Sequence, residues 1–322
     1  MASEPYLAQL TAKLAAGLQQ KPHSFRQRHC RFVLSCQNAD GGFCGRDPAS
    51  DLYYTGFALR NLVLVDALTP EIAQKTAVYL RSQLSGHTTP IDFFSLLYSC
   101  LLTQTTAGID VLEGVADDWQ ERAAHLLESF LAKDGGYGKS PGAAAGSTYH
   151  TFLIALCYQM LNWPIPKTGT LVDFIRKRRR EDGGFVEIGP MKRSGTNPTA
   201  AAVGVLQIAE QLKEEEKRGV SSFLSCLQSP EGGLRANQVA PAADLLSTFT
   251  GCWTLSELGE LSRIDTAGAL RYVKSLDRPD GGFHGGAWDG GFDVEYTFYG
   301  LGALSLLEPA AASPSSSSST IG

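Results

Sequence analysis

No stretch of this chain alternates apolar and polar residues for long enough to read as a strand, so helices must carry the fold. A paired-cysteine signature is also missing. The seven cysteines (Cys30, Cys36, Cys44, Cys100, Cys157, Cys226 and Cys252) are scattered, odd in number and nowhere spaced Cys-x-x-Cys. That excludes a disulfide framework or a cysteine-pair zinc module and points to reduced thiols in a cytoplasmic setting. Positive charge is not in excess: the net charge is −5, which argues against a nucleic-acid partner. No apolar run is long enough for a transmembrane segment. The opening MASEPYLAQL lacks the basic and apolar regions of a signal peptide, so the expected location is cytoplasmic. The serine-rich 309–322 reads as a disordered tail.

What the chain does have is a period. Asp134-Gly135-Gly136-Tyr137, Asp182-Gly183-Gly184-Phe185, Glu231-Gly232-Gly233-Leu234 and Asp280-Gly281-Gly282-Phe283 start 48, 49 and 49 residues apart. An earlier copy, Asp40-Gly41-Gly42-Phe43, lies 94 residues upstream, near two periods. A fixed interval of this size marks stacked repeats that bury a shared core. Each repeat opens with an amphipathic helix such as EEEKRGVSSFLSCLQ, then the acidic-Gly-Gly turn, whose glycines suit the left-handed backbone at a helix end. After a polar loop comes a helix that is apolar nearly all round: DLYYTGFALRNLVLV, STYHTFLIALCYQML, DLLSTFTGCWTLSEL, DVEYTFYGLGALSLL.

A helix apolar on every side must be buried, and its amphipathic partner faces solvent. Buried helices are expected near residues 51, 91, 147, 196, 244 and 293, and outer ones near 24, 70, 119, 168, 214 and 263. The copy at TPIDFFSLLYSCLLTQ has lost its glycine doublet, which explains the double interval. Six inner and six outer helices close into an α/α toroid, a single domain over 1–308, with a short helix at 4–19 packed outside.

CQNADGGF, LQSPEGGL and LDRPDGGF, each followed by a loop and an apolar helix, resemble the repeat of protein prenyltransferase β subunits and squalene cyclases. The resemblance covers about residues 24–308 and is most like a geranylgeranyl-transferring β subunit. It implies a central funnel with aromatic walls that receives an isoprenoid diphosphate or another hydrophobic small molecule, and an α-subunit-like helical partner. The expected lining is Tyr53, Tyr54, Phe57, Phe93, Tyr149, Phe152, Phe249, Trp253, Tyr296 and Tyr299. Zinc is the cofactor the resemblance implies, held by an Asp-x-Cys pair and a His. Asp244 matches the Asp, but Leu246 replaces the Cys and Tyr296 the His. For the diphosphate, the loops KRSGTNPTAA and RANQVAPAAD offer Lys192, Arg193 and Arg235.

Several residues pose sharper questions. His150, in TYHT, is a candidate ligand or base, or a hydrogen-bonded structural residue. Asp244, Cys252 and His284 carry the atoms for a rearranged zinc site, although Cys252 stands about two turns beyond Asp244. DVEYT is similar to the acidic motif with which squalene-type cyclases protonate an alkene, and Glu295 takes the place of the donor. Asp51, Asp244 and Asp293 read as helix caps, and Glu295 as an acid favouring the first turn. DDWQE, with Asp117, Asp118 and Glu121, resembles a magnesium motif but opens an outer helix, where acids are expected. RKRRR, Arg176 to Arg180, ends one, where a solvated face or a partner or membrane surface is expected. Three functions follow: prenyl diphosphate binding or transfer, a single-domain terpenoid cyclase using Glu295 or His150, and a non-catalytic isoprenoid-binding scaffold.

Overall fold

The computed structural model describes residues 4–85 and 89–312. A first helix, α1 (Tyr6–Gln19), precedes six outer–inner pairs. These are α2 (His23–Ser35) with α3 (Leu52–Leu64), α4 (Pro70–Ser82) with α5 (Pro90–Ala107), and α6 (Trp119–Ser129) with α7 (Thr148–Met160). They continue as α8 (Thr168–Arg176) with α9 (Thr196–Ile208), α10 (Glu214–Ser225) with α11 (Leu245–Glu257), and α12 (Thr266–Ser275) with α13 (Val294–Ala312). Each inner helix packs on the next, and α13 returns onto α3, so the ring closes.

Caps set the start of the inner helices. The side chains of Asp51, Thr89, Ser147, Asp244 and Asp293 each accept the backbone N–H three residues on, in Tyr54, Asp92, His150, Ser247 and Tyr296. In α9 the cap is Gly195, without a side-chain acceptor. Contrary to expectation, the glycine doublet does not end the outer helix but lies several residues beyond it. Its first glycine adopts φ of +87° to +102° at Gly41, Gly135, Gly183, Gly232 and Gly281. A side chain there would also strike the neighbouring outer helix: a Cβ on Gly232 would sit 2.2 Å from the carbonyl oxygen of Gly268.

The residue after the doublet is the repeat's anchor. Phe43, Tyr137, Phe185, Leu234 and Phe283 are fully buried. The backbone N–H groups of Phe43, Tyr137, Phe185 and Leu234 each donate to a threonine hydroxyl on the inner helix, Thr55, Thr151, Thr199 and Thr248, at 2.9 Å. The turn thus folds back as a short bridge, Leu131 with Tyr137 for example. A second bridge runs from the anchor to the cap, Tyr137 with Ser147 for example, and in two repeats it grows into a hairpin: β1 (Phe43–Cys44) with β2 (Ser50–Asp51), and β3 (Phe283–Gly286) with β4 (Asp289–Asp293). No alternating pattern announced these strands, because glycine and backbone pairing make them.

Closure of the ring rests on α2 against the last turn. Arg28 pairs with Asp277 at 2.8 Å, and the fully buried His29 accepts the Gly282 N–H at 3.1 Å while stacking on Phe283. Burial and the neighbouring Arg28 and Lys21 hold the His29 imidazole neutral, down at about 3. The RKRRR run is no solvated face. Arg176 pairs with Glu216 at 2.9 Å, and the buried Arg178 pairs with Asp134 at 2.8 Å, so the run ties three repeats together. By contrast, Asp117, Asp118 and Glu121 are exposed.

Two boundaries differ from expectation. Helix α1 does not pack outside the ring but lies across one end of it. Leu14 and Leu18 are fully buried, Thr11 bonds Tyr98, and Ser305 donates to the Leu14 carbonyl. A helix with buried leucines needs an apolar seat, and the open end of the ring supplies one. At the other terminus α13 runs on to Ala312, four residues into the expected tail; 313–322 lie outside the described residues. Among the described residues no helix is long and apolar enough to cross a membrane.

Candidate functional site

The ring encloses a cavity of about 690 Å³. Its lining follows a simple count from each helix cap. Two residues past the cap stand Tyr53, Ile91, Tyr149, Asn197, Leu246 and Glu295, which form the mouth. Five or six past it stand Phe57, Phe94, Ser95, Phe152, Leu153, Ala200, Phe249, Thr250, Phe298 and Tyr299. At nine come Arg60, Leu156 and Trp253, closed over by Tyr6, Leu7 and Leu10 of α1. This is the helical spacing of one face repeated around a ring. Gly204 and Gly302 also fall at nine, where a Cβ would approach the rings of Phe152 and Phe249 to 2.4 Å.

The count explains which expected wall residues are misplaced. Tyr54 and Tyr296, three past their caps, and Phe93, four past its cap, point away from the cavity. Phe93 instead lines a separate groove beside Trp119, and Phe94 takes the inward place. Tyr53, Phe57, Tyr149, Phe152, Phe249, Trp253 and Tyr299 do line the cavity. Aromatic faces meet throughout: Phe249 stacks on Tyr299 at 5.6 Å, and Tyr6 meets Phe152 edge-on at 5.4 Å. Trp253 donates to the Tyr6 hydroxyl at 2.7 Å, which locks α1 to the floor.

Glu295 is the carboxyl set among these rings. Its Oε1 accepts the hydroxyls of Tyr53 at 2.6 Å and Tyr299 at 3.0 Å. Burial pushes its pKa up, against the opposing pull of the two phenols and Arg60. Both phenols engage Oε1, and neither engages Oε2. The neighbouring acids do not join it: Asp293 caps α13 and pairs with Arg46 at 3.2 Å, while Asp289 accepts from Tyr296 at 3.3 Å. A second carboxyl, Glu187, stands at the mouth and accepts the Tyr149 N–H at 3.2 Å.

The other candidates have structural partners. Ser147 and the Nδ1 of His150 lie 2.7 Å apart, burial lowers its pKa, and its side chain is not part of the cavity lining. Asp244 is a cap engaged by the N–H and hydroxyl of Ser247. Zinc does not fit the residues present. Leu246 offers no donor, and the Tyr296 hydroxyl is committed to Arg46 at 2.6 Å. Cys252 is fully buried with its thiol pushed up to about 12 by burial. His284 is positioned by the Gly291 carbonyl at 3.3 Å. Among the described residues no three His, Cys, Asp or Glu side chains gather to hold a metal ion. Lys192 and Arg193 line a surface cleft that shares Glu187 and Asn197 with the cavity mouth, whereas Arg235 turns back to the Leu227 carbonyl at 3.4 Å.

Sequence reasoning overlooked Tyr6, Phe94, Phe298, Ser95 and Arg60. Counting from the caps would have found the last four. Tyr6 had no signal, because a helix outside the repeat has no register to count.

Fifteen per cent of residues match the Candida albicans protein geranylgeranyltransferase-I complexed with GGPP, at a TM-score of 0.68 over 87% of this chain and 90% of that one. The type II terpene cyclase MstE from Scytonema, in complex with merosterolic acid A, gives 0.61 at 14% identity over 95% and 99%. A glycosidase aligns at 0.53 and 12% identity over 96% and 99%. Likeness at these identities establishes the fold and leaves function open. Comparison with curated protein sequences finds no match. The prenyltransferase alpha-alpha toroid domain, however, matches residues 6–88, 72–212 and 199–320, and the chain is a member of that family.

Proposed function

We propose that the cavity binds a polyprenyl chain and that Glu295 protonates one of its alkenes to start a cyclisation. The observation that carries this reading is a carboxyl of raised pKa, pinned by Tyr53 and Tyr299 among aromatic walls. A carboxyl of raised pKa holds its proton more tightly than a free one, which suits it to act as a general acid. The carboxyl proton adds to the less substituted alkene carbon, leaving a tertiary cation on the other. The next double bond then attacks that cation and closes a ring. Loss of a proton ends the sequence, and solvent reprotonates Glu295, so the product is an isomer of the substrate. Phe249, Phe298 and Tyr299 line the cavity, and their π systems stabilise the migrating cation. The MstE structures, which hold merosterolic acid A or geranylgeranyl dihydroxybenzoate, support a terpenoid of this size.

Prenyl diphosphate binding is the second reading, supported by the Lys192–Arg193 cleft beside the mouth and by the GGPP-bound neighbour. The test is incubation of the protein and of Glu295→Gln with geranylgeraniol and farnesol, followed by mass spectrometry. Cyclised isomers of unchanged mass from the native protein alone support the cyclase. Their absence at both chain lengths refutes it.

A further inference from the structure

Arg60 is a cation inside an apolar chamber, and its partners are unusual. Its Nε donates to the Gly56 carbonyl of its own helix at 3.0 Å. Its guanidinium lies over Phe57 at 3.8 Å and beside Phe298, Tyr98 and Phe94 at 5.2, 5.7 and 5.9 Å. Among the described residues it forms no ion pair, although a guanidinium carries five N–H donors. Across from it is an equally unsatisfied group. Ser95 is 1% exposed and lies on the cavity wall, and its buried hydroxyl has no hydrogen-bond partner.

The two share one niche. Gly56 occupies the position five past the cap where Phe94, Phe152, Phe249 and Phe298 stand on other helices. A Cβ on Gly56 would lie 3.5 Å from Nη2 of Arg60 and 3.7 Å from Cβ of Ser95. The missing aromatic leaves room for the guanidinium on the side that faces Ser95 and Ser99. A half-buried cation with open donors close to a buried, unpartnered serine is costly unless an acceptor arrives with the ligand.

We propose that Arg60 and Ser95 form a carboxylate-binding site near the cavity floor, so that the ligand is an isoprenoid bearing one carboxylate. This rests on the cavity being an isoprenoid site. A guanidinium and a hydroxyl match the planar, two-oxygen acceptor of a carboxylate. A diphosphate is the wrong occupant of the floor. It brings several negative charges to a chamber whose lining holds a single cation and two carboxyls, Glu187 and Glu295. The site also sets direction: the acid end lies at the floor and the alkenes face Glu295 nearer the mouth.

The experiment titrates the protein with geranylgeranoic acid, geranylgeraniol and geranylgeranyl diphosphate at neutral pH, following the fluorescence of the cavity-lining Trp253. The acid is expected to bind about tenfold or more tighter than the alcohol, the size of one charge-assisted hydrogen bond. Arg60→Met should abolish that preference while alcohol affinity stays within about threefold. Ser95→Ala, which removes a hydroxyl without partners, should retain the fold and lose part of the preference. Equal binding of acid and alcohol, or a preference surviving in Arg60→Met, overturns the proposal and makes Arg60 a packing residue. Tightest binding by the diphosphate overturns the single-carboxylate assignment. If none of the three binds, the isoprenoid reading of the cavity falls instead.

Discussion

Gly302 tests the cavity's geometry without touching its polar groups. In Gly302→Ala the new methyl would lie 2.4 Å from Cε2 of Phe249 and 2.8 Å from Cδ2, where ordinary contact begins at 3.4 Å. Phe249 must therefore move by about 1 Å in a close-packed interior. It has little freedom to do so, being stacked on Tyr299 and set edge-on against Phe298 at 5.4 Å. Overpacking of this kind costs about 1–3 kcal/mol. Alanine returns about 1 kcal/mol of helix propensity, so the net is a loss of about 1 kcal/mol. Over 322 residues that lowers Tm by about 1.5–2 °C. The control is Gly169→Ala in α8, where a Cβ meets nothing within 4 Å and a gain of about 0.5 kcal/mol is expected. Adding Phe249→Leu to Gly302→Ala should relieve the clash, giving a favourable coupling energy in the double-mutant cycle. Calorimetric melting of the four variants decides the matter. If the cycle shows no coupling between Gly302→Ala and Phe249→Leu, the ring of Phe249 does not lie across α13 as described.

Two pH effects follow from the buried titratable groups. Glu295 has its folded pKa raised, so the native protein loses stability as pH climbs from 4.5 through the folded value. Glu295→Gln escapes that loss, and its Tm advantage should grow with pH; a constant difference between pH 4 and 8 would contradict the burial. His29 behaves oppositely, with a folded pKa of about 3 against 6.5 unfolded. Stability is then complete above 6.5 and falls toward 3, with a slope of up to about 1.4 kcal/mol per pH unit from this residue. Urea titrations of His29→Gln should show a shallower fall over that window, and an unchanged slope would refute the assignment.

The period and the all-round apolar helices made the toroid legible, because an apolar helix has one place to go. The aspartate caps were equally readable, since Asp51, Asp244 and Asp293 occupy equivalent steps of the repeat. Phe93 was misread by one residue, which rotates a side chain by about 100° and moves it from cavity to groove. Arg60 was passed over because a lone arginine in an apolar helix carries no local sign of what surrounds it. The RKRRR run looked solvated for the complementary reason: its partners Glu216 and Asp134 lie about 40 residues away in neighbouring repeats. For Glu295 the acid was visible, but the phenols that orient it come from α3 and from one turn along α13.

The most direct test concerns the buried Glu295 carboxyl, which holds its proton more tightly than a free carboxyl does, and its carbon-13 carboxyl titration measures this. Glu295→Gln identifies the resonance, and Tyr53→Phe supplies the check. A midpoint above 4.5 is expected in the native protein, moving higher in Tyr53→Phe because that hydroxyl holds the pKa down. A midpoint at or below 4.5, unmoved by Tyr53→Phe, would leave Glu295 an ordinary first-turn carboxylate and remove the proton donor from the cavity.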